Sequence, residues 1–326
     1  MLMAAGLGTR LKPFTDMEPK PLLPLMGIPT AQFAVDALVA AGVRKIVANV
    51  HHLPARAVAG LSALDLGGAV LAISDESDLL LGSAGGMKKA RTLLGDGPFF
   101  LLNSDVLCDV NLEALALQHA KLRKKDGVML TLAIFPRATT GGRYKEILFD
   151  TSTDLITGLG GVVMDRPFFI GAAIIEPDAL THVPDRGPAD FVSTILAPAI
   201  AEKKAGVFLS DGVWQDVGSP DLWIGAHVEL IRLLETGKLD LRWKKRIESA
   251  NKRVGELIWV SKDCPKQTRM NEWVGPCYWS PQGDTTALPP KAFGPRSVAY
   301  GPAGSNSAKS GISMRGVWVG SGTATD

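Results

Sequence analysis

Three parts of this 326-residue chain carry side chains that could do chemistry. One is a stretch near the start bearing glycines and cations; the other two are aspartates far apart in sequence. The stretch is Ala4-Ala5-Gly6-Leu7-Gly8-Thr9-Arg10-Leu11-Lys12-Pro13, with Pro19-Lys20-Pro21 soon after. Gly6 and Gly8 have no Cβ, so the backbone N–H groups beside them can close on an anion. Arg10 and Lys20 add two fixed positive charges. An ordinary strand turn with surface basic residues uses the same residue types, and a lone Gly-x-Gly does not separate the two. Two better-known phosphate loops are excluded by residue. Nothing supplies Gly-x-x-x-x-Gly-Lys-Ser/Thr, and the dinucleotide fingerprint wants a third glycine where Leu11 stands. Asp105 closes the run Pro98-Phe99-Phe100-Leu101-Leu102-Asn103-Ser104-Asp105, and Asp216 sits in Trp214-Gln215-Asp216-Val217-Gly218-Ser219-Pro220. Both are oxygen donors suited to a hard cation. The plainer roles are a turn or cap at Asp105 and a helix-start turn at Asp216.

Positioning these residues requires a frame. A short apolar strand, residues 1–5, precedes the glycine loop. Apolar residues recur at helical spacing over 28–41, Gly42 stops that helix, and 43–50 is β-rich. Strand, helix and strand in this order read as a βαβ unit with a parallel sheet. The spacing predicts a helix over 54–64, a strand over 69–73 and a helix over 87–94. The continuous apolar run 99–102 suits a strand buried on both faces. Ligands of open α/β sheets bind beyond the carboxyl ends of the strands, which places Asp105 where chemistry occurs. Leu81-Gly82-Ser83-Ala84-Gly85-Gly86 reads as a loop. It is either a plain turn or a surface of small residues against which a flat base can lie. Later come a helix over 109–123, a strand over 128–135 and a hairpin turning at 151–154. A central strand over 168–175 contains Gly171, followed by a helix over 191–201 interrupted near Pro198, a strand over 207–209 and a helix over 221–234.

Taken together, Gly6-Leu7-Gly8-Thr9-Arg10, Pro13, Pro19-Lys20-Pro21 and the Trp214-to-Pro220 motif resemble the signatures of the sugar-1-phosphate nucleotidylyltransferases, or nucleotide-sugar pyrophosphorylases. The resemblance implies an α/β fold: a Rossmann-like, mixed, mainly parallel sheet flanked by helices (GT-A-like) over residues 1–240. It implies Mg²⁺-dependent transfer of a nucleoside monophosphate from an NTP, UTP or GTP favoured, to a sugar 1-phosphate, releasing pyrophosphate. On this plan Arg10 holds the leaving phosphates and Lys20 contacts the α-phosphate or the sugar phosphate. Asp105 and Asp216 bind the metal. Ala5, Gly6, Gly8, Thr9, Gly82, Ser83, Gly85 and Gly86 line the nucleotide, with Ser83 in place of the usual threonine. Gly171 either borders the sugar or is a packing glycine. Thymidylyl- and glucose-type members carry Glu-Lys-Pro before that strand. Here Asp165-Arg166-Pro167 stands instead, so Arg166 is the candidate substitute for the lysine. The missing motif points towards N-acetylmuramate-1-phosphate uridylyltransferase-like and mannose-1-phosphate guanylyltransferase-like branches. It also leaves room for a non-sugar acceptor such as phosphocholine, or for a catalytically silent nucleotide-binding regulator. Glu76 stands near an acidic residue that often precedes the Gly82 segment in relatives. His51 and His52 read as loop residues rather than catalytic bases.

Formal charge is +2, so no general affinity for nucleic acid is implied. No apolar run reaches the roughly 18–20 residues of a membrane span. The apolar start is shorter than a signal peptide and leads straight into the glycine loop, where relatives carry a few more residues. Cys108, Cys264 and Cys277 are scattered, suit a reducing cytoplasm and show no zinc spacing. A cytoplasmic enzyme of cell-envelope nucleotide-sugar synthesis is the expected setting. After residue 240 the composition shifts to Gly, Pro, Ser and Trp. Residues 241–326 form a β-rich extension, either a degenerate left-handed β-helix or a short β-rich appendage. Trp243, Trp259, Trp273, Trp279 and Trp318 lie there and call for burial, by packing or by homo-oligomerisation.

Overall fold

The computed structural model describes residues 1–136, 144–162, 165–264, 277–280, 297–300, 311–314 and 317–320, with backbone alone at 297, 299, 311–314 and 317–320. Backbone compactness divides the chain into two units: residues 1–7 with 34–214, and residues 8–33 with 215–326.

The first unit is built on a nine-stranded mixed sheet. Its strand order is Val70–Asp75, Lys45–Val50, Leu2–Met3, Phe99–Asn103, Phe168–Ile175, Leu130–Phe135, Ala205–Leu209, Leu155–Val162 and Lys145–Asp150. The first four run parallel, whereas Phe168–Ile175 runs antiparallel to both neighbours. Strands Leu130–Phe135 and Phe168–Ile175 are buried along most of their length, which explains why their sequences read as apolar runs without alternation. The core gathers Leu101, Leu130, Leu132, Ile134, Ile175, Phe191 and Leu196, among others. The hairpin joining Lys145–Asp150 to Leu155–Val162 turns at 151–154, as its sequence predicts.

Helix Leu112–Asp126 starts three residues later than spacing suggests, because the Asn111 side chain accepts from Ala114 N–H (2.9 Å) and fixes the start there. Gly127, at φ 69°, ends it. The interruption expected near Pro198 is a π-helical turn, Val192–Leu196, followed by helix Ala197–Ala201 with Pro198 in its first turn.

One local expectation is corrected. The Gly82-Ser83-Ala84-Gly85-Gly86 segment is not a loop but the first turns of helix Gly82–Lys89. Glycine and serine are poor helix formers, so propensity misdirects here. Tertiary contacts decide instead: the N–H groups of Ala84 and Gly85 both donate to Ala189 O (3.0 and 3.2 Å), and Ala189 N–H donates to Leu81 O (2.8 Å). A Cβ on Gly82 would lie 2.8 Å from Ala189 O, and one on Gly85 3.0 Å from Gly187 O, so small residues let this helix reach the 187–189 backbone.

The second unit holds helices Pro220–Glu235 and Leu241–Ala250 and a six-stranded sheet. In that sheet Ile258–Ser261, Cys277–Ser280, Ser297–Tyr300 and Gly311–Met314 run parallel, each in register with the next, as in a solenoid. Of the apolar-glycine pieces that suggest a β-helix from sequence, 273–279, 292–298 and 316–320, residues 273–276, 292–296 and 316 lie outside the described residues, as does the end 321–326. Asp240 caps helix Leu241–Ala250 by accepting from Arg242 N–H (2.9 Å). Among the described residues, no helix is long and apolar enough to cross a membrane.

Candidate active site

Sheet register builds the first part of the site. Met3 pairs with Asn49 on one side and with Asn103 on the other, so three parallel strands end in one row. Beyond that row lies a cavity of about 280 Å³. Its walls come from Met3, Ala5 and Gly6, from Asn49, from Asn103 and Asp105, and from Leu80, Gly82 and Ser83. This is the carboxyl-end location in which open α/β sheets bind ligands. Of the nucleotide-lining residues expected from sequence, Ala5, Gly6, Gly82 and Ser83 meet here together with Asp105. Gly85 and Gly86 are buried in the same helix. The Ser83 hydroxyl oxygen accepts from Phe191 N–H (2.9 Å), which anchors that end of the helix.

A buried polar network supports this wall. Asn49 Oδ1 accepts from Ala4 N–H (2.8 Å), and Asn49 Nδ2 donates to Glu76 Oε1 (2.7 Å). Glu76 Oε2 accepts from Leu81 N–H (3.2 Å), and its backbone oxygen meets His51 Nδ1 (2.7 Å). Glu76 is fully buried, and each of these bonds replaces lost water. His51 therefore has a structural partner, as its loop position suggests. Asn49 and Asn103 were not singled out by sequence reasoning. Asn103 closes an apolar β run and Asn49 lies inside one, but neither run tells which strands stand side by side.

Gly171 has φ 84°, and a Cβ there would lie 2.8 Å from Asn103 Nδ2. The close approach that glycine permits is thus to a cavity-lining side chain. Arg166 is mostly exposed, with Nε 3.7 Å from Glu146 Oε1, and is not part of the cavity wall. Trp214, from the second motif, packs edge-on against Phe168 (4.7 Å) and Tyr144 (5.1 Å) and donates from its indole N–H to Ile170 O (3.1 Å). Desolvation and the neighbouring Asp109 carboxylate push the Cys108 thiol up to about 12, which disfavours its thiolate.

The second unit brings together the remaining candidates. Gly8, at φ 63°, lets the loop fold back: a Cβ there would lie 2.7 Å from Thr15 Cγ2 and 3.2 Å from Lys20 Cβ. The Thr15 hydroxyl donates to Gly8 O (2.9 Å). Thr9 and Arg10 lie in the turn Thr9–Leu11, and the largely buried Lys20 opens the turn Lys20–Leu22. Asp216 Oδ1 accepts from Gly218 N–H (2.6 Å). A Cβ on Gly218 would lie 2.7 Å from both Arg10 Nη2 and Asp216 Oδ1. Arg10 and Asp216, far apart in sequence, therefore both crowd the side-chain position of one glycine. Among the described residues no three or more His, Cys, Asp or Glu side chains converge as a metal cage. Mg²⁺ does not ask for one, being held by one or two carboxylates plus substrate phosphates.

An α/β sheet with a cavity beyond its strand ends is common to many ligand-binding proteins, and comparison with known proteins supplies the family. Residues 1–142 match the nucleotidyl transferase family profile. Over 239 residues the chain is 30% identical to the N-acetylmuramate alpha-1-phosphate uridylyltransferase of Caulobacter vibrioides, covering 71% of this chain and 96% of that protein. Over 238 residues it is 31% identical to the mannose-1-phosphate guanyltransferase of Kluyveromyces lactis, covering 70% of this chain but 63% of that protein, under two thirds of its length. Among solved structures, UDP-glucose pyrophosphorylase complexed with UDP-glucose matches with a TM-score of 0.59 at 19% identity, over 71% of this chain and 97% of the other, a likeness of fold. The chain belongs to the sugar-1-phosphate nucleotidylyltransferase family and is a nucleotidyltransferase.

Proposed function

We propose that this enzyme transfers a nucleoside monophosphate from UTP or GTP to a sugar 1-phosphate, with Mg²⁺ and release of pyrophosphate. The observation that carries the reading is that Arg10 and Asp216 both crowd the side-chain position of Gly218, which unites the glycine-loop cation with the motif carboxylate. An oxygen of the sugar phosphate attacks the α-phosphorus in line; the new P–O bond forms as the bond to the β-phosphate oxygen breaks. Both reactants are anions, so the catalytic task is alignment and charge neutralisation, and no covalent nucleophile is required. In this reading Arg10 binds the leaving phosphates and Lys20 the α-phosphate or sugar phosphate. Gly6 and Gly8 offer backbone N–H groups, with Ala5 and Thr9 beside them. Gly82 and Ser83 form the face towards base and ribose, whereas Gly85 and Gly86, expected there from sequence, are buried behind it against residues 187–189 and the Asn49–Glu76 pair. Asp105 and Asp216 hold Mg²⁺, which when bound neutralises phosphate charge. Gly171 and Arg166 are the sugar-side candidates. We assign catalysis to residues 1–240 and a supporting role to 241–326.

The uridylyl- and guanylyltransferase relatives support UTP and GTP as the bases to test first. Thermal-shift measurement with each NTP and Mg²⁺ tests this, because ligand binding raises stability by mass action. UTP or GTP is expected to raise the midpoint more than ATP or CTP does. Equal shifts for all four would overturn the base assignment.

A further inference from the structure

The segment that carries Arg10 and Lys20 does not stand alone within its unit. It continues into a small hairpin, Pro24–Leu25 paired with Ile28–Pro29, with Met26 and Gly27 at its tip. Leu23 N–H donates to Lys20 O (3.1 Å), and both the backbone N–H and the hydroxyl of Thr30 donate to Leu23 O (3.0 and 2.7 Å). These bonds tie the backbone from Lys20 to Thr30 into one hydrogen-bonded piece.

That piece is held by the C-terminal extension. Tyr300, on the third of the parallel strands, is fully buried, and its hydroxyl accepts from Gly27 N–H (3.3 Å). The same hydroxyl lies 2.5 Å from His227 Nε2 and 3.1 Å from Pro24 O. Proton accounting fixes the roles. His227 Nδ1 lies 2.9 Å from Trp223 O, which can only accept, so Nδ1 carries the hydrogen. Burial holds His227 neutral, its pKa lowered to about 4, so Nε2 accepts and the Tyr300 hydroxyl donates to it. Pro24 O is served instead by the Trp223 indole N–H (2.8 Å). A second contact runs in parallel: the Tyr278 hydroxyl donates to Asn251 Oδ1 (2.9 Å), and Asn251 Nδ2 donates to Met26 O (2.8 Å). Aromatic packing extends the connection. Tyr300 stacks on Trp223 (6.1 Å, 4°), Trp223 meets Phe14 edge-on (5.4 Å), and neighbouring Thr15 bonds Gly8 O.

We propose that the Tyr300 hydroxyl is a positioning group for the phosphate-binding segment, residues 8–23, so that the extension sets the placement of Arg10 and Lys20. This rests on the reading above that those two cations bind phosphate. An appendage serving packing alone would need only the aromatic rings. Here hydroxyl and amide groups are directed at the hairpin backbone, where a bond fixes register as well as proximity.

The test is Tyr300→Phe, which keeps the ring and removes one oxygen. Trp259→Phe serves as the control, because it loses an extension bond to Glu235 that does not involve the segment. Amide hydrogen exchange reads the segment directly. Steady-state pyrophosphate release, well below the unfolding midpoint, reads its consequence. In Tyr300→Phe, peptides covering 8–23 should exchange at least about tenfold faster while those covering 99–103 are unchanged, and kcat should fall by about tenfold or more with KM changed less. Trp259→Phe should lower the midpoint without either effect. If Tyr300→Phe does not fold, Tyr278→Phe is measured in its place with the same expectation. A lower midpoint with exchange over 8–23 and kcat both unchanged would overturn the proposal. Should the unmodified enzyme release no pyrophosphate with any nucleotide, the functional reading fails, and the exchange comparison still decides the positioning role.

Discussion

Gly218 shows how tightly single residues are specified at this site. The space a side chain would take there is filled by the Arg10 guanidinium and the Asp216 carboxylate. Asp105→Ala and Asp216→Ala are each expected to abolish metal-dependent pyrophosphate release while leaving the circular dichroism spectrum unchanged; full activity in either variant contradicts the two-carboxylate account. Arg10, Lys20 and Asp216 can be proposed from sequence because their motifs are local, with glycine, proline and tryptophan at tell-tale spacings. Asn49, Asn103 and the pairing of Asn49 with Glu76 cannot. They depend on which strands lie side by side, and strand order is a long-range property. His227 is a further residue that sequence reasoning passed over. Among the described residues its hydrogen-bond partners are uncharged, the Trp223 carbonyl and the Tyr300 hydroxyl, and desolvation outweighs the opposing bond to the Trp223 carbonyl. Its folded-state pKa of about 4 lies below the ordinary value near 6.5. The unfolded chain therefore takes up a proton first as pH falls, and stability declines from pH 6.5 to about 4, by on the order of 3 kcal/mol in all. Urea midpoints across that window should show this slope, and His227→Gln should flatten it.

Helix Gly82–Lys89 is the element on which sequence and structure differ most. Its glycines argue for a loop by propensity, yet each close approach to residues 187–189 favours the helix in place. Propensity is worth about 1 kcal/mol per glycine, and tertiary contacts override it. Gly86 separates the two effects. A Cβ there would lie 2.6 Å from Glu76 Oε1 and 2.9 Å from Asn49 Nδ2. Gly86→Ala should gain helix propensity of under about 1 kcal/mol and lose about 1–3 kcal/mol by crowding a buried polar network. The net expected in urea unfolding is destabilisation; a stabilised variant would show that the network yields freely. The sheet strands were far more legible. Phe99–Asn103 and Phe168–Ile175 are apolar runs bounded by polar residues, and burial on both faces is the simplest state such runs can reach. The late start of helix Leu112–Asp126 was missed by three residues because one asparagine side chain, not periodicity, sets it.

At the scale of the whole chain, composition changes at residue 240, whereas compactness groups residues 8–33 with 215–326. The two divisions answer different questions: one marks where sequence character shifts, the other which backbone packs with which. The second could not be read from sequence, because it rests on contacts such as Tyr300 with Gly27, made between opposite ends of the chain. The family was legible from its motifs; for the extension the sequence left a degenerate β-helix and a short β-rich appendage open, and its described strands 258–261, 277–280, 297–300 and 311–314 run parallel. Base and sugar were not legible, since the cavity-lining Gly82 and Ser83 carry too few side-chain atoms to mark one base. The most direct test is pyrophosphate release from UTP and GTP, each with N-acetylmuramate 1-phosphate, mannose 1-phosphate and phosphocholine, with and without Mg²⁺. The account predicts turnover with at least one sugar 1-phosphate, dependent on Mg²⁺ and absent with phosphocholine. A folded protein that releases no pyrophosphate with either sugar phosphate, or releases it only with phosphocholine, would contradict it.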